Sequence, residues 1–250
     1  MNLAFRTWRE VFALAVQLVA SQPGWMAALA GLGALSVYFQ LGVLPAGRVD
    51  ARFLILMALL LAFALVTAAL TVFWVRTGAN AGRLDAAAFR GSRPRWWPDL
   101  GVALGANLVF LVWAALSAVL AFWLSGTAVR WLGVLFVSAA ALYEAPARAE
   151  ARGFREGVAL FWGRLFAGRR MDAWATVPFW SAALLLPAFE ELAGALAAAP
   201  GGDPPPALGV GPVLVGSLVE PLRVALTVAV LVFVYRRFWA TGAPDARRRG

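Results

Sequence analysis

Hydrophobic positions in this chain come in long unbroken runs, and polar residues are confined to the intervals between them. In residues 1–21, Phe5, Trp8, Phe12, Val16 and Val19 recur at spacings of three and four. Arg6, Arg9, Glu10 and Gln17 fall on the other side. This spacing predicts an amphipathic helix, expected to lie in the membrane interface. Gln22, Pro23 and Gly24 end it. Six apolar runs follow, at about 25–44, 53–75, 100–124, 128–142, 173–196 and 213–235. Most approach or exceed the roughly 20 residues that cross a bilayer core of about 30 Å. Between the fourth and fifth runs, Tyr143–Arg170 forms the longest charged interval and reads as a second helix lying flat on the membrane. The expected fold is therefore an all-α membrane protein. It has six transmembrane helices and amphipathic interfacial helices at the N-terminus and between spans four and five. Residues 1–240 form one polytopic domain, and 241–250 a basic flexible tail.

Details of the runs refine this layout. Trp96-Trp97 at the lip of the third span is an expected interface anchor. Gly101 and Gly105 just after it are spaced G-x-x-x-G, which permits close helix contact. Phe5-Arg6, Phe89-Arg90 and Phe154-Arg155 each precede a Trp-led hairpin, a weak threefold repeat that chance also explains in a chain with 12 Trp and 17 Phe.

Composition agrees with the pattern: 62% of residues are hydrophobic and 14% are charged, against about 25% charged in soluble domains. The net charge is +9, and all 22 basic residues are Arg. A GC-rich bacterial genome explains the missing Lys, and a need for phosphate-binding guanidinium forks is the functional alternative. Arginine distribution sets the topology. Eighteen of them fall in the N-terminal segment, 76–99, 148–170 and the C-terminal end, while the alternate connectors hold Arg48, Arg52 and Arg130. By the positive-inside bias, both termini and both long loops are expected on the cytoplasmic face of the inner membrane. The basic charge then calls for no nucleic acid.

Cysteine and histidine are absent. That removes disulfides, thiol nucleophiles, Cys/His metal sites and the commonest general base. No catalytic motif is present, and neither a cofactor nor a metal is expected. Two constellations remain. Within the sixth span, Glu220 and Arg223 form E-P-L-R, with Glu190 and Glu191 of the fifth span in reach. Ionisable groups at membrane depth face the bundle interior or a wet cavity, so these four are the intramembrane polar candidates. A salt bridge that fixes packing is the structural alternative. The second set is Arg148, Arg152, Arg155, Arg164, Arg169 and Arg170, an interfacial or partner-docking surface. Anionic lipid head groups are attracted to such clusters, and a cytoplasmic protein partner is the other candidate. Ordinary topology-setting charge explains the same residues. Glu144–Arg148 and Arg152–Glu156 add i,i+4 pairs, each worth a few tenths of a kcal/mol on an exposed helix.

In layout the chain resembles a family of six-helix membrane domains found fused to glycerophosphodiester phosphodiesterases, together with its stand-alone relatives. The likeness rests on Ala145-Pro146 running into the charged stretch to Glu156, on Phe161-Trp162-Gly163-Arg164 through Arg170, and on the basic stop Tyr235-Arg236-Arg237. The resemblance implies six spans and no catalytic residues. The expected function is that of a non-enzymatic membrane protein, handling lipid head groups or serving as a membrane subunit of a larger assembly. The alternative is the permease half of an ATP-driven exporter, with 148–170 as its coupling helix.

Overall fold

A computed structural model describes residues 2–38, 51–81, 89, 94–108, 116, 119–120, 143–166 and 210–240. All regular structure among them is helical, so the fold is all-α. The elements are α1 (Asn2–Ser21), α2 (Pro23–Tyr38), α3 (Ala51–Asn80) and α4 (Trp96–Ala106). Then come α5 (residues 143–150), α6 (Phe154–Phe166) and α7 (Val210–Val234), which ends in a π-helical turn at Tyr235–Trp239. The expected fourth and fifth spans, residues 197–209 and the tail lie outside the described residues, as does most of the third span beyond Asn107.

At Gln22 the chain turns by 97° between α1 and α2. Pro23 lacks an N–H and is accommodated as the first residue of a helix, so α1 stops before it and α2 starts on it. The Gln22 side chain holds the corner by donating from Nε2 to the Phe89 carbonyl at 2.7 Å. Around α1, three sectors alternate. Val11, Leu14, Ala15 and Leu18 are buried in the main core. Phe12, Val16 and Val19 are exposed, at 44%, 64% and 39%. Arg9, Glu10, Ala13 and Ala20 are exposed on the third side. The apolar face expected from spacing is thus the uncovered one, and a second apolar stripe does the packing.

α7 is the centre of the described core. From Val224 to Val234 it is buried almost all round, packed among α1, α2 and α3. α3 is different along its length. Ala69 to Val75 are buried, whereas Leu54, Ile55, Met57, Leu59 and Leu61 are exposed. It runs five residues past the expected end at Val75, because Arg236 of the π turn donates to the carbonyls of Gly78 and Ala81. A cation on the last carbonyls satisfies orphan acceptors and complements the helix dipole. The C-terminal ends of α3 and α7 therefore lie together.

Among the described residues, Phe53–Asn80 is long and apolar enough to cross a membrane, and the bent α1–α2 pair makes a second if counted as one broken span. Only 11% of the most apolar stretch of Phe53–Asn80 is buried, unlike the core helix of a soluble protein. Its open Leu, Ile and Met side chains would cost on the order of 5 kcal/mol in water, and acyl chains remove that cost. These features associate the chain with a membrane.

Candidate functional site

Two ion pairs clamp α4 at its two ends. At the first, Asp99 is buried at 1% exposure in the opening turn of α4. Its Oδ1 pairs with Nη1 of Arg76, near the end of α3. Its Oδ2 accepts the Arg95 N–H at 2.9 Å. A carboxylate here satisfies a free N–H and suits the positive end of the helix dipole. The other arm of Arg76, Nη2, donates to the Ala151 carbonyl at 2.7 Å. One guanidinium therefore joins α3, α4 and the link between α5 and α6.

At the other end, Arg148 of α5 donates to Glu144 Oε2 from Nε at 3.1 Å and from Nη2 at 2.9 Å. Nη2 also reaches Oδ1 of Asn107, the C-cap of α4, at 2.9 Å. Glu144 Oε1 is buried without a hydrogen-bond partner. Burial pushes the Glu144 carboxyl above its ordinary value, opposed by the charge and hydrogen bonds of Arg148. Tyr143 stacks edge-on against Phe161 and Trp239 beside this pair, at 6.5 and 6.4 Å between ring centres.

These contacts correct three expectations. Tyr143–Arg170 is not one flat helix: it breaks at residues 151–153, and 144–149 are buried. Arg148 is not a surface docking residue, since it is 5% exposed and held by Glu144 and Asn107. Its pair with Glu144 is a buried one, so removing one partner costs about 3–5 kcal/mol instead of a few tenths. Third, Glu156 does not pair with the Arg152 side chain through a helical i,i+4 contact; its Oε2 accepts the Arg152 backbone N–H at 2.7 Å and caps α6.

Glycine sets the spacing between α4 and α6. A Cβ on Gly105 would stand 2.8 Å from the Phe154 carbonyl oxygen, and one on Gly101 3.2 Å from the Phe154 nitrogen. Gly157 of α6 in turn lies against Val102. The G-x-x-x-G face read from sequence is therefore a helix contact, made with α6.

Of the expected surface arginines, Arg152 and Arg155 are exposed at the start of α6. Arg164 lies within α6, and Arg169 and Arg170 fall outside the described residues. In α7, Arg223 donates from Nε to Glu220 Oε2 at 2.9 Å, and Nη2 closes the second arm on Oε1. The Arg223 side chain is 46% exposed, so this fork stands on the helix surface. Glu190 and Glu191 fall outside the described residues. Among the described residues, no three acidic, Cys or His side chains converge on a metal position.

Asp99 and Asn107 were not among the expected site residues. The available signal was an acid closing an interval that carries five arginines, and an amide inside an apolar run. No family model, curated protein or solved structure matches this chain.

Proposed function

We propose that this is a non-enzymatic integral membrane protein of the inner membrane, with six spans, which handles lipid head groups at its arginine-rich face. The 97° corner at Gln22 carries the reading. If α2 enters the bilayer along its normal, α1 must lie in the interface plane. Phe12, Val16 and Val19 then meet acyl chains, while Arg9 and Glu10 meet water. The meeting of the C-terminal ends of α3 and α7 supports equal sidedness of their basic ends. The layout likeness to the six-helix domains points the same way and brings no activity with it. The buried ion pairs Arg76–Asp99 and Arg148–Glu144 serve as joints that hold the face together.

Because the chain has no cysteine, single-cysteine labelling tests the topology without background. Ala246→Cys is expected to react only with a reagent on the cytoplasmic side. Ala46→Cys and Gly202→Cys are expected to react only from the opposite side. Equal sidedness of all three would overturn the six-span arrangement.

A further inference from the structure

The Arg76 guanidinium does more than hold helices. By bonding Asp99 with one arm and Ala151 with the other, it sets the start of α4 beside the link that leads into α6. Residues 95–97 and 152–155 therefore emerge on one surface. Trp97 is 83% exposed and Phe154 48%. Arg95, Arg152 and Arg155 are exposed around them. Of the nearby acids, Asp99 is buried under Arg76, and Glu156 is turned onto a backbone N–H. Even with exposed Glu150 and Glu156 counted, three guanidiniums stand against two carboxylates among the described residues.

We propose that Arg95, Arg152 and Arg155, set around the rings of Trp97 and Phe154, form a binding surface for the phosphate groups of anionic phospholipids. A guanidinium fork matches phosphate oxygens. Tryptophan beside it prefers the head-group level of a bilayer. The exposed indole beside an apolar helix suits head-group depth, where phospholipid phosphates lie. The proposal rests on the reading that the chain is embedded in a membrane, and it names where lipid charge is sensed.

Native mass spectrometry of the full chain tests it, with phosphatidylglycerol and phosphatidylcholine supplied in equal amounts. The wild type is expected to retain phosphatidylglycerol preferentially. R152A/R155A is expected to lose roughly 25-fold of that preference, about fivefold per guanidinium. Arg155→Glu is expected to lose at least as much as the single alanine. Both positions are exposed, so unchanged circular dichroism is expected alongside. Arg52→Ala serves as the control, about 36 Å along α3 from Arg76, and is expected to keep the preference. Equal retention of phosphatidylglycerol by wild type and double variant would overturn the surface while leaving the membrane reading standing. Recovery of every variant in the soluble fraction without detergent would overturn the membrane reading itself. Loss of a co-purifying acidic protein, with lipid retention unchanged, would also overturn the lipid assignment.

Discussion

Arg76 and Asp99 lie 23 residues apart in sequence and meet as an ion pair at the junction of two helices. Asp99 is almost wholly buried, so its charge depends on Arg76 and on the Arg95 N–H for compensation. Asp99→Ala is expected to lower stability by about 3–5 kcal/mol, since it strands a guanidinium and a helix N-terminus. Replacing both partners with apolar residues is expected to recover a large part of that loss. Thermal unfolding in detergent of the two single variants and the double variant measures the coupling. Strictly additive losses would contradict it.

Glu144 makes stability depend on pH. Its folded pKa is raised above the ordinary 4.5 because burial disfavours the charged form more than Arg148 supports it. The folded state therefore binds the proton more tightly than the unfolded chain. Stability from this group is fully present below about pH 4.5 and declines as pH rises through the folded pKa. Glu144→Gln is expected to flatten that decline. Melting temperatures of wild type and variant across pH 4 to 8 check the sign.

The α4–α6 crossing makes Gly105 sensitive to a single methyl group. The added Cβ of Gly105→Ala would meet a backbone oxygen, which cannot rotate away. A loss of about 1–3 kcal/mol is expected. Gly31 in α2 has nothing within 4 Å of an added Cβ. Gly31→Ala is expected to be neutral or to stabilise by up to about 1 kcal/mol through helix propensity. Reversal of this order in unfolding midpoints would contradict the packing described.

Arg236 ties the end of α7 to the end of α3 through two carbonyls. Arg236→Met keeps much of the aliphatic stem and removes the donors. A loss of about 1–3 kcal/mol is expected, since the acceptors are left without their partner. Faster hydrogen exchange confined to residues 76–81 would locate the effect, and uniform exchange would contradict it.

The helical class and the break at Gln22 were legible because apolar run length and proline act locally. The second apolar stripe of α1 was harder to see. Val11, Leu14, Ala15 and Leu18 are no more hydrophobic than Phe12, Val16 and Val19, and only the position of α7 decides which stripe is covered. Arg148 shows the same limit from the polar side. Its spacing to Glu144 was plain, but its contact with Asn107 at the end of α4 spans 41 residues of sequence. Asp99 gained its importance from Arg76, a partner on another helix that spacing along one helix does not disclose.

Depth-resolved spin labelling along α1 tests the central claim most directly. Nitroxides are attached at single cysteines from position 8 to 20 in the full chain, in lipid. A helix in the interface predicts three classes. Positions 12, 16 and 19 contact oxygen dissolved among acyl chains, and positions 9, 10, 13 and 20 contact an aqueous nickel reagent. Positions 11, 14 and 18 contact neither freely. Uniform aqueous access along both outer faces would contradict placement of α1 in the membrane interface.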